Sequence, residues 1–154
     1  MNPHAGAEPV IVVMAAVIEQ DGLVLVTRRV GDIHLSGFWE FPGGKVEGGE
    51  SHDACLRREL AEELGVEATV GTLILTTEHA YPDRTVRLYF HRCEIKGDPS
   101  PQLGQAMRWV TRDELGSLDF PEADRALIET LRSAGQTDDA GRDEARGHRD
   151  RDGR

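Results

Sequence analysis

The chain has no long hydrophobic run. Its longest apolar stretch, residues 10–18, covers nine residues, whereas a membrane-spanning helix needs about 20. The opening residues, MNPHAGAEP, include no basic segment of the kind that begins a secretion signal. We therefore expect no membrane partner and a cytoplasmic location.

Cysteine is equally scarce. Cys55 and Cys93 are the only two in the sequence, they fall in separate predicted elements, and their spacing matches no metal-binding motif. This excludes the disulfide framework that stabilises many small secreted domains. We predict that both are reduced thiols and that Cys55 packs in the core.

Positive charge is in deficit. The sequence has 28 Asp and Glu residues against 18 Lys and Arg residues, which gives a formal net charge of −10. Binding to a nucleic-acid polymer requires a basic surface that neutralises phosphates, so we expect no such partner. A single nucleotide remains possible if a metal ion offsets the charge of its phosphates.

The length and the composition indicate one folded domain. A chain of 154 residues is long enough for one substantial core and too short for two. Residues 135–154 contain no aliphatic or aromatic side chain beyond alanine, so they cannot bury enough apolar surface to fold. We predict a flexible N-terminus at 1–9, a single domain at 10–134 and a disordered charged tail at 135–154.

Apolar patterning predicts a sheet followed by a helix at the C-terminal end of the domain. The residues before and after Asp21-Gly22 read as two buried strands joined by a hairpin, since Asp-Gly favours that turn. Thr111 and Glu114 match a helix capping box. The remaining expected elements are strands at 38–41, 70–76, 85–93 and 107–110, and a final helix at 121–132.

A helix is also expected from Ser51 onward. Leu56, Leu60 and Leu64 recur every four residues, as on the buried face of a helix, and Gly65 supplies a typical C-terminal stop. We therefore predict that this row of leucines packs against the sheet.

The same helix has a cluster of acidic residues. At about 100° per residue, Glu59, Glu62 and Glu63 fall on one face. Like charges one turn apart repel, so a cation that neutralises them would explain the cluster. Mg²⁺ fits, because it prefers carboxylate oxygen and shares its coordination shell with substrate phosphates. The simpler alternative is a solvated acidic face.

Two glycine pairs precede the helix. Gly43-Gly44 and Gly48-Gly49 lack the side chains that would keep backbone amides from approaching an anion. The pattern favours a loop that curls over phosphates, with Lys45 among the substrate-binding residues. The alternative is a pair of ordinary turns.

Residues 44–66, GKVEGGESHDACLRRELAEELGV, resemble the Nudix box at every position of that motif. The resemblance implies an α/β domain with a mixed sheet between helices, and hydrolysis of a pyrophosphate bond with Mg²⁺, for which Mn²⁺ can substitute. It also assigns roles within the box. The metal ligands would be Glu59, Glu62, Glu63 and the Gly44 carbonyl, and Arg58 would orient the glutamates.

Between about residues 10 and 131 the chain further resembles MutT-like enzymes of the nucleotide pool. Four segments support this: TRR at 27–29 with His34, WEFP at 39–42, YPDR at 81–84 and FPEAD at 120–124. By resemblance, Arg29 would hold phosphate and Phe41 would pack against the base, while His34, Asp83 and Arg84 would line or close the pocket. Each residue also has a structural alternative: Phe41 can be core, His34 a loop residue, and Pro82-Asp83 a turn.

Two positions depart from the MutT-like pattern. The loop at 102–105, Gln-Leu-Gly-Gln, has Leu103 where those enzymes have a glutamate, so Glu59 or Glu50 is left to take the proton from water. Asp124 stands where the oxidised-guanine enzyme has an asparagine. An ionised aspartate only accepts hydrogen bonds, which suits the cytosine amine, although an oxidised purine also offers a donor.

These features together predict a nucleoside triphosphate pyrophosphohydrolase that releases monophosphate and pyrophosphate. The favoured substrate is an oxidised purine nucleotide such as 8-oxo-dGTP, with CTP or dCTP as the alternative. From a different class, a non-catalytic nucleotide sensor on the same fold is a further alternative. We expect a small-molecule nucleotide as the partner and a monomer or weak homodimer.

Overall fold

A computed structural model describes residues 9–29 and 37–134, which form a mixed seven-stranded sheet with a helix on either face. The predicted tail at 135–154, His34 and all but the last residue of the predicted N-terminus lie outside these ranges. No helix within the described part of the chain is long and apolar enough to span a membrane. The expected fold class, a mixed sheet between helices, is confirmed.

The strands of the sheet are β1 (Val10–Gln20), β2 (Leu23–Arg28), β3 (Trp39–Glu40), β4 (Gly43–Lys45), β5 (Glu67–Tyr81), β6 (Arg84–Lys96) and β7 (Ala106–Val110). β1 pairs in parallel with β6 and antiparallel with β2 and β4. The strand order is β3-β2-β1-β6-β5, with β4 added to β1 and β7 added to β2.

The β1–β2 hairpin forms as the sequence predicts. Asp21 and Gly22 both have positive φ, 54° and 79°, which is the conformation of a two-residue turn whose twist matches the adjoining strands. Glu19 then lies opposite Val24. The turn residues therefore fix the register of the first two strands.

Side-chain alternation along β1 divides the core into two layers. Met14 and Ala16 pack with α1 (His52–Leu64), whereas Ala15 and Val17 pack against the helix that we label α2, residues 125–134. Successive side chains of a strand point to opposite faces. Because both faces of β1 are covered, its sequence is apolar almost throughout.

Helix α1 begins and ends close to the predicted positions. Ser51 is the N-cap, and its Oγ accepts a hydrogen bond of 3.0 Å from the Ala54 amide. Gly65 adopts a left-handed conformation at φ 69° and donates to the Ala61 carbonyl at 3.0 Å. The predicted leucine row is buried against the sheet.

The glycine segment differs from its predicted loop. Residues 43–45 form β4, which pairs with β1. Glycine at position 43 permits this pairing, because a Cβ there would overlap the Met14 carbonyl. Gly43 is therefore needed for the close approach of two strands, in addition to any role in leaving room for an anion.

Three further predicted elements differ in length or type. β5 and β6 extend beyond the predicted strands because antiparallel pairing continues to the turn at 82–83. The final helix opens with a 3₁₀ turn at Glu122–Asp124 and is α-helical only from residue 125.

The predicted capping box and the predicted thiols are confirmed. The Thr111 amide donates to Glu114 Oε1 at 2.7 Å, and the Glu114 amide donates to Thr111 Oγ1 at 3.1 Å. These bonds precede a 3₁₀ turn at Asp113–Ser117. Cys55 and Cys93 are free and buried.

Candidate active site

A cavity of about 590 Å³ opens on one side of the sheet. Its lining comes from β1, β4 and α1, from the β5–β6 hairpin, and from the 3₁₀ turn before α2. The residues that bear on chemistry are Arg29, Glu40, Phe41, Gly44, Lys45, Glu47, Glu59, Glu63, Tyr81, Arg84 and Asp124.

Two carboxylates of α1 meet at this cavity. The Glu63 carboxyl lies beside that of Glu59, and its Oε1 accepts from the Gly43 amide at 3.4 Å. Burial, followed by the adjacent Glu59 carboxylate, raises the pKa of Glu63. The pair thus concentrates negative charge in a poorly solvated place, and a cation would relieve that repulsion.

Gly44 lies directly against this pair. A Cβ at this position would overlap the Glu59 carboxylate, so only glycine lets the carboxylate approach the β4 backbone. The Gly44 carbonyl oxygen also accepts from Cys55 Sγ at 3.7 Å. A carbonyl and two carboxylates are the oxygen ligands that Mg²⁺ prefers, so the donor set suits a divalent cation.

Glu62 does not line the cavity. Its side chain is 56% exposed and pairs with Arg58 Nη1 at 3.3 Å. The helix explains this, because Glu59 and Glu63 lie about 40° apart around the axis whereas Glu62 lies about 100° from Glu63. Among the described residues, no three acidic, histidine or cysteine side chains are arranged as a metal site. The expected convergence of three glutamates is therefore reduced to two.

Arg58 connects the loop before α1 to the glutamates. Its Nε and Nη2 donate to Glu50 at 2.5 and 3.0 Å, and its Nη1 donates to Glu59 Oε2 at 3.1 Å. Nη2 also lies 3.3 Å from the Lys45 carbonyl oxygen. This geometry supports the predicted orienting role of Arg58.

Glu50 is poorly placed to accept a proton. Its hydrogen bonds from Arg58 and from the Glu47 amide lower its pKa to about 2, and it does not line the cavity. A general base works best with a pKa near the working pH. Of the two base candidates, the geometry favours Glu59.

Asp124 also lines the cavity and is buried, only 6% exposed. Burial, and secondarily the nearby Glu40 carboxylate, raises the pKa of Asp124 to about 7. The sequence interpretation treated this residue as ionised and able only to accept. A pKa of about 7 makes both the neutral and the ionised form accessible near neutral pH, and the neutral carboxyl both donates and accepts.

Glu40 is a cavity residue that sequence reasoning did not select. Its Oε2 accepts from Arg29 Nε at 3.2 Å, and burial raises its pKa. Strand alternation offered a signal, because Glu40 follows the buried Trp39 on β3 and so points to the opposite face. Arg29, a predicted phosphate ligand, is thereby brought to the cavity.

Phe41 is both a core residue and part of the cavity wall. Its ring stacks on Phe120 at a centroid distance of 5.2 Å and meets Phe90 edge-on at 6.0 Å. The side chain is buried but reaches the cavity. The two interpretations offered by the sequence are therefore compatible.

The β5–β6 hairpin places Arg84 and Tyr81 at the cavity. The Arg84 guanidinium lies 4.6 Å from the centroid of the Tyr81 ring and 3.0 Å from Asp83 Oδ1. Asp83 itself is 75% exposed and does not line the cavity. Tyr81 was not selected from the sequence, although it belongs to the YPDR segment.

Comparison with known proteins identifies close relatives. The family model of the NUDIX domain matches residues 13–130. The CTP pyrophosphohydrolase of Escherichia coli (strain K12) is 38% identical over 122 residues, covering 79% of this chain and 90% of that protein. The 8-oxo-dGTP diphosphatase of the same strain is 36% identical over 110 residues, covering 71% and 85%.

Solved structures of similar proteins have the same fold as this chain. The solution structure of the E. coli ORF135 protein has a TM-score of 0.75 and 37% identity, covering 84% of this chain and 95% of that one. A solved structure from a study of MutT of Aliivibrio salmonicida and Vibrio cholerae has a TM-score of 0.67 and 30% identity, covering 79% of this chain and 94% of that one.

Proposed function

This chain belongs to the Nudix family of hydrolases and is a nucleotide pyrophosphohydrolase, and from that premise we propose that its substrate is a nucleoside triphosphate. The products would be the monophosphate and pyrophosphate. One observation carries the proposal: the same cavity is lined by the carboxylate pair of α1 and by a buried hydrogen-bonding group, Asp124. Phosphates would lie beside the carboxylate pair and the base beside Asp124.

As a Nudix hydrolase the chain uses a divalent metal ion, which we propose is Mg²⁺ with Mn²⁺ as a substitute. Glu59, Glu63 and the Gly44 carbonyl would hold it, because they supply hard oxygen ligands and a cation would relieve the repulsion between the two carboxylates. Glu62, on the solvent side of Arg58, is the least supported predicted ligand. Such an ion activates a water molecule and neutralises charge on the phosphates.

The chain's own residues position the reactants. Glu59 would take the proton from the attacking water, since Arg58 fixes its carboxylate and Glu50 is too acidic to compete. Lys45 and Arg29 line the same cavity and would bind phosphate oxygens, whereas Arg84 would line or close the nucleotide pocket.

Asp124 would select the base. In its neutral form the carboxyl matches a base edge that offers both an acceptor and a donor, as 8-oxoguanine does, so we propose 8-oxo-dGTP as the main substrate and pool sanitation as the role. In its ionised form it matches the exocyclic amine of cytosine. CTP or dCTP is therefore the second candidate, supported also by the similarity to a CTP pyrophosphohydrolase.

The proposal also covers the location, the oligomeric state and the macromolecular partners of the protein. We propose a cytoplasmic monomer or weak homodimer with no nucleic-acid polymer as partner, as the acidic composition favours. The sensor alternative is set aside because the family and its relatives indicate an enzyme.

A substrate panel tests the proposal. Pyrophosphate release would be measured with 8-oxo-dGTP, dGTP, CTP, dCTP, ADP-ribose and a nucleotide sugar, with Mg²⁺, with Mn²⁺ and with a chelator. We expect the highest kcat/KM with 8-oxo-dGTP, and no turnover with the chelator. A preference for ADP-ribose or a nucleotide sugar, or release of single phosphates, would overturn it.

A further inference from the structure

The loop before β7 is attached to the C-terminal end of α1. The Ser100 amide donates to the Leu64 carbonyl at 3.0 Å, and the Gln102 amide donates to the Glu63 carbonyl at 3.0 Å. Gln105 Nε2 donates to the same Glu63 carbonyl, also at 3.0 Å. Carbonyls in the last turn of a helix lack partners within the helix, so this loop satisfies them.

Gln105 is the side chain that joins the loop to the helix. While its Nε2 donates to Glu63, its Oε1 accepts from the Leu103 amide at 2.9 Å. Both halves of the amide are thus used, one to shape the loop and one to hold the helix. The Leu103 side chain is 69% exposed and does not line the cavity. The loop therefore contributes through hydrogen bonds to the backbone of α1.

Glu63 is the point at which this attachment reaches the site. Its carbonyl accepts two hydrogen bonds from the loop, and its carboxylate contacts Glu59 and the Gly43 amide. A shift of the Glu63 backbone would move the carboxylate with it. Metal affinity depends on such outer contacts because they fix the ligands in place.

We propose that Gln105 is a positioning residue, which holds the last turn of α1 so that the Glu63 carboxylate stays beside that of Glu59. The inference rests on the proposed role of those two carboxylates as metal ligands. Gln105 does not line the cavity, and it would act through the Glu63 backbone.

The test replaces Gln105 with methionine, which has similar volume and no donor. Mn²⁺ binding to the protein without nucleotide would be measured by calorimetry, together with the thermal midpoint and steady-state kinetics. We expect Mn²⁺ affinity and kcat to fall by about ten- to hundredfold, as losses of outer contacts do, with little change in KM for nucleotide.

A matched control and a rescue variant define the cause. Gln102→Ala removes a side chain of the same loop but leaves the Gln102 amide bond to Glu63, and we expect wild-type Mn²⁺ affinity. Gln105→Lys retains a donor that suits a helix C-terminus. We expect its Mn²⁺ affinity to lie within about threefold of wild type, a smaller change than the about ten- to hundredfold loss that removal of an outer contact causes. If Gln105→Met does not fold, Gln105→Asn, whose amide is too short to reach, takes its place.

Glu63→Gln separates the two proposals. If Glu63→Gln leaves Mn²⁺ affinity unchanged, the proposed metal site is wrong. If Glu63→Gln abolishes binding while Gln105→Met, or Gln105→Asn in its place, binds as wild type, only the positioning role is overturned. Equal losses in Gln105→Lys and Gln105→Met would also overturn it, because donation to Glu63 would then not matter.

Discussion

At Gly44 the lack of a side chain lets a carboxylate lie against the backbone of a strand. Gly44 and Glu59 are 15 positions apart in the chain, yet a Cβ on the glycine would occupy the space of the Glu59 carboxylate. The constraint comes from the site and not from backbone conformation, since Gly44 does not have positive φ.

Gly44→Ala should therefore damage activity more than stability. The overlapping atoms belong to the end of a flexible side chain, so Glu59 can move aside at little cost in folding free energy. A displacement of about 1 Å at a catalytic group can reduce the rate about hundredfold, and we expect a loss of that order in kcat. The control is Gly48→Ala, where a Cβ meets nothing within 4 Å. Equal kinetics in the two variants would contradict the assignment of Glu59.

Asp124 should make base preference depend on pH. With its pKa raised to about 7 by burial, the neutral form prevails below that pH and the ionised form above it. The ratio of kcat/KM for 8-oxo-dGTP to that for dCTP should fall as pH rises through 7. One mismatched hydrogen bond is worth about 1 to 3 kcal/mol, or about ten- to hundredfold.

Asp124→Asn should favour 8-oxo-dGTP at every pH, because the amide keeps a donor and an acceptor without titrating. Competition assays at pH 6 and pH 8.5 would measure both effects. A ratio that changes equally with pH in the wild type and in Asp124→Asn would show that Asp124 does not read the base.

At the scale of elements, Arg112 ties the first hairpin to the last helix. Its Nε and Nη2 donate to Glu19 at 2.8 Å each, and its Nη1 donates to the Leu131 carbonyl at 3.1 Å. Both charged groups are mostly buried. Lysine cannot reproduce this fork of donors, so Arg112→Lys should lower the free energy of unfolding by about 1 to 3 kcal/mol.

Urea denaturation would measure that loss, and kcat/KM should be unchanged because Arg112 is not part of the cavity. Arg125→Lys provides the matched control, since its pair with Glu122 is well exposed and exposed pairs contribute at most about 1 kcal/mol. If the two variants are equally stable, the Arg112 contacts do not join the elements.

Local signals in the sequence were sufficient for some elements and not for others. Ser51, the leucine row and Gly65 act within one helix, and they located α1 to within a residue. β4 depends on contact between Gly43 and Met14, which are distant in sequence, so its glycines read as a loop. The protonation of Asp124 likewise depends on burial by residues from other elements.

At the scale of the whole molecule, the described carboxylates whose pKa values are shifted fall into two groups with opposite effects on stability. The pKa of Glu19 is lowered, chiefly by its hydrogen bond from Arg112. The stability that ionised Glu19 contributes to the fold is therefore lost as the pH falls through this lowered pKa. The pKa values of Asp124 and Glu63 are raised by burial. For these, the folded state binds more protons than the unfolded chain, so stability falls as pH rises. Without metal, the protein should be most stable at mildly acidic pH.

Asp124 allows this pH dependence to be tested. Its pKa of about 7 should reduce the free energy of unfolding by roughly 2 kcal/mol between pH 5.5 and pH 8, at about 1.4 kcal/mol per pH unit up to that pKa. The difference between the wild type and Asp124→Asn in urea denaturation of the metal-free protein at the two pH values would measure it, because the raised pKa of Glu63 adds a further loss in both proteins. Asp124→Asn should remove this loss, whereas Asp83→Asn, at an exposed carboxylate, should retain it. Added Mg²⁺ should stabilise the wild type more at pH 8, where Glu63, with its raised pKa, is more fully ionised. An identical pH dependence in the wild type and in Asp124→Asn would mean that Asp124 is ionised in the fold, which would favour cytosine nucleotides as substrates.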